Sequence, residues 1–328
     1  MTQTEGKGMQ AQDDDDVIAA RRAAPRQVSA SPFGPGDEIG MLNLLTGASR
    51  AAVFGEADAT KLFDLSVEYF VGMPSFSMFG DPTFQIWMSH TPNGSVQDDP
   101  IGVGPEQNRL VGWSADSMAM FVHTGTHIDS LNHFGYCGEI WNGFNEREHL
   151  GSRHWTVCGA EKQPPIIGRG ILIDVAGAHG LQMLPDSYGI GADDLRMALD
   201  RQGTQVRRGD VVMVRTGRMQ AWPDRDRYLL NEPGLDRDGA ELLAEAGAIV
   251  IGADNVALER APSADPENHH GVHTYLLAEA GVPIMENVDL EELAAEAVYE
   301  YAFIGAGMPI RGATGAPMRP IALPLRDR

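Results

Sequence analysis

Short runs of consecutive apolar residues in the second half of the chain constrain the fold more than any other feature. Side chains that are apolar at successive positions are typical of strands buried on both faces of a sheet. The predicted strands cover residues 171–175, 210–216, 248–252 and 283–285. Helical patterns separate them, over residues 193–201, 237–246, 272–280 and 290–297. This alternation predicts an α/β fold.

The first half of the chain has weaker patterns. Residues 1–32 are predicted to be a mobile arm, because they contain a run of four aspartates and little that could pack. Residues 33–328 are predicted to form one domain, with a helix over residues 48–59 and strands over 63–70 and 118–122. Residues 75–100 are rich in Pro, Gly, Met and aromatics and are predicted to be a loop.

Composition limits the classes of partner. The chain has 328 residues and a formal net charge of −21, which disfavours nucleic acid or an anionic membrane as the main partner and favours a small molecule. Cys137 and Cys158 match no zinc or redox spacing, and a chain of this length needs no disulfide. With no apolar run typical of a signal peptide at residues 1–12, a cytoplasmic location is expected.

The most informative segment is residues 123–133, which contain three of the ten histidines. If the segment is extended, His127 and Asp129 lie on the same side, because side chains alternate along a strand. His123 can join them if the Thr-Gly-Thr turn folds back. Imidazole and carboxylate ligands suit divalent Zn, Mn or Fe, so we predict a metal site with open positions. His133 is close enough to act on a bound water or substrate.

A second segment carries further ligand types. His273 is predicted in the first turn of a helix, and Glu286 at the carboxyl end of the next strand. Functional side chains collect at that end of strands in α/β sheets. The pair could complete a second metal site that shares Asp129. His269 and His270 are expected to be exposed.

Aromatic side chains near these segments are candidates for a substrate pocket. A loop that carries them could be the wall of an apolar pocket or a buried satellite cluster, and the sequence leaves both open. The predicted pocket residues are Phe76, Phe79, Trp87 and Phe134.

The motif His123-x-Gly-Thr-His127-x-Asp129-x-x-x-His133 resembles the signature of the putative cyclase family, which includes bacterial kynurenine formamidases and isatin hydrolases. The resemblance covers residues 33–325. The further segments that carry it are residues 34–45, 64–66, 72–74, 209–217, 252–254, 273–277, 286–287 and 312–315.

The resemblance implies a swivelling β/β/α-type fold, a single domain with a mixed sheet and flanking helices, and a homodimer or homotetramer. It implies metal-dependent hydrolysis of an amide, lactam or related carbonyl such as a lactone, with one or two ions of Zn or Mn. It makes His123, His127 and Asp129 ligands of the first metal, and Asp129, His273 and Glu286 ligands of a second. His133 would be the general acid/base.

The chain departs from the family pattern at two positions. Leu131 stands where many members have proline, which puts the loop shape and the substrate choice in doubt. Ala257 stands where many have serine, and the missing hydroxyl puts formamide specificity in doubt.

The resulting hypothesis is that a metal-activated water attacks a carbonyl while His133 transfers the proton. Three alternatives remain open. Two histidines and a carboxylate also form the ligand set of non-haem Fe(II) oxygenases. A lyase or dehydratase could use the same ions, and a non-catalytic metal-binding protein would keep the ligands without needing His133.

Overall fold

A mixed nine-stranded sheet forms the centre of the computed structural model, which describes residues 27–77 and 80–326. Fifteen strands lie in these ranges: β1 (Phe63–Asp64), β2 (Gln85–His90), β3 (Ala115–Ala119), β4 (His127–Asp129), β5 (Glu139–Ile140), β6 (Phe144–Asn145), β7 (Ile166–Asp174), β8 (Gly189–Ile190), β9 (Val211–Arg215), β10 (Gly234–Leu235), β11 (Val250–Ala253), β12 (Ile284–Glu286), β13 (Glu300–Gly305), β14 (Gly315–Pro317) and β15 (Ile321–Pro324). The sheet order is β1-β15-β13-β7-β9-β11-β12-β4-β14.

The centre of this sheet is parallel and its two sides are antiparallel. β7, β9, β11 and β12 are parallel neighbours, while β13 and β4 pair with the two ends of that group in antiparallel fashion. The predicted mixed sheet within an α/β domain is therefore confirmed. β4, the strand that carries His127 and Asp129, lies between β12 and β14.

Both faces of the central strands are buried. Val212 and Val214 of β9 belong to one apolar core, and Val211 and Met213 belong to the core on the other face. This confirms the interpretation of consecutive apolar residues as strands covered on both sides.

Helices cover the sheet on its two faces. The described α-helices are α1 (Gly47–Glu56), α2 (Pro92–Asp98), α3 (Pro105–Asn108), α4 (Glu146–His149), α5 (Val175–Ala178), α6 (Ala192–Gln202), α7 (Arg225–Leu229), α8 (Arg237–Glu245), α9 (Gly271–His273) and α10 (Glu291–Ala295). A π-helix, Thr274–Ala280, continues α9. No described helix is long and apolar enough to cross a membrane.

Two predicted strands in the first half are wrong in extent. The strand predicted over residues 63–70 is only Phe63–Asp64, because the backbone N–H of Val67 is bonded to the Thr126 hydroxyl rather than to a neighbouring strand. The strand predicted over residues 118–122 is shifted to Ala115–Ala119. It pairs with β2 in a separate two-stranded sheet.

The segment predicted to be a loop, residues 75–100, contains β2 and α2. β2 gave no strand signal because its side chains are almost all exposed, so no apolar and polar alternation marks one buried face. For the same reason, the sequence did not show that Trp87, in the middle of β2, lies on an exposed strand.

The predicted N-terminal arm lies mostly outside the described residues. Within the part that is described, Ser29 N–H donates to the Ala278 carbonyl at 3.0 Å, and Ser31 N–H donates to the Asn142 side chain at 2.9 Å. Contacts with the domain therefore begin before Phe33. The bounds of the arm at residues 1–32 stay a prediction.

Candidate metal centre

The register between β4 and β12 brings three predicted ligands together. His127 lies directly opposite Glu286 in this antiparallel pair, so their side chains share one face of the sheet. Asp129 lies two residues along β4 and projects to the same face. His127 Nε2 is 3.3 Å from Asp129 Oδ1 and 3.2 Å from Glu286 Oε2. The predicted convergence of His127 and Asp129 is observed.

A tight turn before β4 brings His123 back to this face. Gly125 has a φ of +63°, and a Cβ atom there would lie 2.7 Å from the Tyr69 ring, so the turn requires glycine. Asn287 holds the turn from the other strand, since its side chain donates to the Gly125 carbonyl at 3.1 Å. As a result, His123 Nδ1 lies 2.7 Å from Asp129 Oδ1.

His273 reaches the same carboxylates from the helical side of the site. It is the last residue of α9, and it is buried. Its Nε2 lies 3.1 Å from Glu286 Oε1 and 3.8 Å from Asp129 Oδ2. The carboxylates of Asp129 and Glu286 therefore connect all the predicted imidazole ligands: His123 and His127 contact Asp129 Oδ1, while His273 contacts Glu286 Oε1 and approaches Asp129 Oδ2.

The donor set fits a divalent cation. Ligand atoms about 2.0–2.2 Å from an ion lie roughly 3.3 Å from one another in tetrahedral geometry, and the His127, Asp129, Glu286 and His273 contacts of 3.1–3.8 Å are of that size. His127 Nε2 and Asp129 Oδ2 are buried without a hydrogen-bond partner, although buried polar atoms are normally paired. His127 Nδ1 is bonded to the Gly125 carbonyl at 2.8 Å, which leaves Nε2 free to act as a ligand.

The electrostatics of the cluster show that it requires positive charge. Burial alone would lower the pKa of His127, but the carboxylates of Asp129 and Glu286 outweigh it and raise that pKa to about 10. Burial also opposes the charge on Asp129, yet the adjoining imidazoles hold the pKa of that carboxyl well below its usual range. Two buried carboxylates thus need compensating cations, and a divalent ion supplies that charge without protonated imidazoles.

His133 lies where the cluster meets the cavity, and its ligand-type atoms are within 4.8 Å of those of His123 and Asp129. Its ring stacks on His123 with centroids 3.9 Å apart, and its Nε2 is 4.0 Å from Asp129 Oδ2. Burial, together with the charge of His123, lowers the pKa of His133 well below its usual value. A neutral imidazole at this position can accept a proton.

A cavity of about 200 Å³ opens onto these side chains. It is lined by Phe76, Asp81, Phe121, His123, His133, Phe134, Val256, Ala257, His270, His273 and Glu286. Two of the predicted pocket residues, Phe76 and Phe134, are in this wall. Trp87 does not line this cavity; it lies on β2, with 52% of its surface exposed. Phe79 lies outside the described residues.

Among the residues that the sequence did not predict for the site, two lie beside His273. His270 was expected to be exposed but lines the cavity, with its ring centroid 5.0 Å from that of Phe134. Glu259 was not considered, yet it forms a cluster with His270 and His273 whose ligand-type atoms lie within 4.8 Å of one another. His269 is exposed, as predicted. The position of His270, three residues before His273, could have indicated its place in the site. No sequence pattern indicated Glu259.

The chain matches the family model described as Putative cyclase over residues 63–260. It is 25% identical over 211 residues to a kynurenine formamidase of Bacillus cereus, covering 63% of this chain and 79% of the relative. A solved structure described as a novel cyclase superposes with a TM-score of 0.79 and 28% identity, over 91% of this chain and all of the other. Isatin hydrolase A from Ralstonia solanacearum shares the fold, with a TM-score of 0.61 and 20% identity, over 80% of this chain and 91% of the other.

Replacing Asp129 tests the ligand set. Asp129→Ala and the isosteric Asp129→Asn should each weaken the binding of Zn²⁺ or Mn²⁺ by at least about 100-fold, since even second-shell partners of a ligand are worth about 10–100-fold. Metal content after dialysis and titration of the metal-free protein measure this effect. Asp200→Ala, which removes an exposed carboxylate of α6, is the control. Full metal occupancy in both Asp129 variants would refute the assignment.

Proposed function

Because the chain belongs to the putative cyclase family, we propose that it is a metal-dependent hydrolase, which adds water to the carbonyl of a small amide, lactam or lactone. The observation that carries this proposal is the buried cluster of three imidazoles and two carboxylates at the base of a cavity, with two ligand-type atoms left without hydrogen-bond partners. The names of its relatives, kynurenine formamidase and isatin hydrolase, support hydrolysis of a C–N bond.

In this proposal the five buried side chains hold Zn or Mn, as one ion or two. His123, His127 and Asp129 contribute one set of ligands, and Asp129, His273 and Glu286 contribute the other. Asp129 can serve both sets because its two oxygens face different partners, His123 and His127 on one side and His273 on the other. A divalent ion bound there lowers the pKa of a water and polarises a carbonyl oxygen.

His133 is proposed as the general acid/base. Its imidazole lines the cavity, where a substrate would lie, and its Nε2 is within 4.0 Å of the Asp129 carboxylate. It can take a proton from the attacking water at Nε2 and deliver it to the leaving nitrogen or oxygen. Its ring stacks on that of His123, with centroids 3.9 Å apart, which limits rotation of the imidazole.

The cavity favours a small and largely apolar substrate. Phe76, Phe121 and Phe134 form much of its wall, and Val256 and Ala257 also line it. Among the expected substrates are aryl formamides, cyclic amides, imides and lactones of a size that about 200 Å³ can accept. A cytoplasmic location for this chemistry stays a prediction.

The proposal is tested by screening a panel of these compounds with the metal-loaded protein, the metal-free protein and His133→Ala. We expect hydrolysis by the loaded protein, with one water added to the product, and none after chelation. His133→Ala should retain its metal but turn over at least about 100-fold more slowly, the usual contribution of general acid/base catalysis. Rates and metal content are measured on the same samples.

The alternatives give different outcomes in the same assay. A product that has lost water rather than gained it would indicate a lyase, and a reaction that stops without dioxygen would indicate an oxygenase. His149→Ala, which removes a histidine of α4, is the matched control and should leave the rate unchanged. Unchanged turnover in His133→Ala would refute its role.

We also propose that the chain forms a homodimer or homotetramer through its apolar arm, defined as residues 85–119. Nine large apolar side chains of this arm are 39–83% exposed: Ile86, Trp87, Met88, Ile101, Val103, Leu110, Val111, Trp113 and Met118. Ile86 and Met118 are direct cross-strand neighbours, so their exposed side chains form one patch. Monomeric proteins rarely expose apolar patches of more than a few hundred Å².

A second copy of the chain is the proposed partner of the apolar arm. The eleven residues of β2 and β3 contain one charged side chain of the Asp, Glu, Lys and Arg types, Asp116, although the chain as a whole carries a net charge of −21. Two copies can therefore meet there without juxtaposing their negative charge. The isolated two-stranded sheet also needs such a partner, because two strands alone are marginally stable.

Ile86→Ser combined with Met118→Ser should lower the molar mass in solution, because it removes a cross-strand pair at the centre of the exposed patch. Light scattering coupled to size exclusion measures the mass. Leu181→Ser is the matched control, since Leu181 is 43% exposed but lies elsewhere. A monomeric wild-type protein, or a double variant that keeps the wild-type mass, would contradict the proposal.

A further inference from the structure

Glu259 is a buried carboxylate next to the metal centre that is not among the proposed ligands. It follows β11 and forms an isolated β-bridge with Leu235 of β10. Leu258, just before it, is fully buried and has a φ of +56°, a conformation that leucine rarely adopts. Such a conformation persists only where surrounding structure enforces it. The next residue, Glu259, has its side chain directed into the protein and is only 4% exposed.

Both carboxylate oxygens of Glu259 are bonded to the segment that carries His273. Oε1 accepts from the backbone N–H of His273 at 3.2 Å and lies 2.5 Å from His273 Nδ1. Oε2 accepts from the backbone N–H of Val272, also at 3.2 Å. One side chain thus fixes the start of α9 and the ring that projects from it.

The contact at Nδ1 decides what the other ring nitrogen can do. When Nδ1 donates its hydrogen to a carboxylate, the lone pair of a neutral imidazole resides on Nε2. In His273 that atom faces Glu286 Oε1 at 3.1 Å and Asp129 Oδ2 at 3.8 Å. Carboxylates that bond the second nitrogen of a ligand histidine orient the ring and make it a stronger donor.

We propose that Glu259 is a positioning residue, which holds His273 with Nε2 directed at the ion between Asp129 and Glu286. This inference rests on the proposed function, because it requires that His273 binds a metal. It assigns a role to a residue that touches neither the ion nor the substrate.

The contacts distinguish this role from that of a ligand. Glu259 and His270 could hold an ion with His273, since their ligand-type atoms lie within 4.8 Å of one another. However, both oxygens of Glu259 already accept backbone hydrogen bonds, whereas Asp129 Oδ2 accepts none. The Glu259 carboxylate is therefore occupied in holding the backbone and ring of His273, whereas the free oxygen of Asp129 is available to an ion.

The test compares metal affinity and stability in Glu259→Leu and Glu259→Gln. Both metal-free proteins are titrated with Zn²⁺ and with Mn²⁺ against a competing chelator, and thermal unfolding of the metal-free forms is recorded in parallel. Glu259→Leu should bind at least one ion about 10–100-fold more weakly, as found when such outer partners are removed. Glu259→Gln keeps one acceptor oxygen but offers an amide N–H₂ to a backbone N–H, so its affinity should fall about 10-fold.

Glu279→Gln is the matched control. Glu279 lies on the π-helix six residues after His273 and bonds Tyr136 and Arg237 instead of the site, so its loss should leave affinity unchanged. A lower unfolding temperature with unchanged affinity would show that Glu259 is only structural and would overturn the inference. If Glu259→Leu does not fold, Glu259→Gln decides alone, and an affinity within twofold of wild type overturns it. If the wild-type protein binds neither ion, the proposed function fails first and the inference fails with it.

Discussion

The antiparallel pairing of β4 with β12 is the interaction on which the site depends. It places His127 opposite Glu286 and, with Asp129, concentrates two carboxylates and an imidazole on one buried face of the sheet. Burying charge in such a place is costly unless opposite charge and hydrogen bonds accompany it. Slipping the register by one residue would turn the ligands of one strand to the opposite face. The site therefore depends on the register of these two strands as well as on the identity of the side chains.

The residues around the ligands serve this pairing. Gly125 lets the turn before β4 pass against Tyr69, and Asn287, directly after Glu286, bonds the Gly125 carbonyl. The Thr126 hydroxyl donates to the Asn287 carbonyl at 2.6 Å, so the two ligand-bearing strands are tied together beyond their short ladder. On the helical side, Glu259 has the corresponding function for His273. Two of the proposed ligands, His127 and His273, are thus held by partners that do not line the cavity.

The sequence predicted what local patterns determine. Consecutive apolar residues revealed β9 and β11, and the spacing of two between His127 and Asp129 placed both on one side of a strand. The register of β4 against β12 could not be read from the sequence, because it joins segments more than 150 residues apart. The sequence also could not show that the Trp87 side chain is exposed, because a tryptophan can occur either in a pocket wall or on an exposed strand. Glu259 could not be predicted, because no local pattern in the sequence marks a carboxylate that is buried.

The most direct measurement is anomalous diffraction at the metal absorption edge, from crystals of the protein grown with Zn²⁺ or Mn²⁺. We expect a peak about 2.0–2.3 Å from an Asp129 oxygen and from nitrogens of the adjoining imidazoles, with His133 beside the ion but not bound to it. A metal-replete crystal in which Asp129 and its neighbouring histidines are spread apart, with no anomalous peak between them, would contradict it.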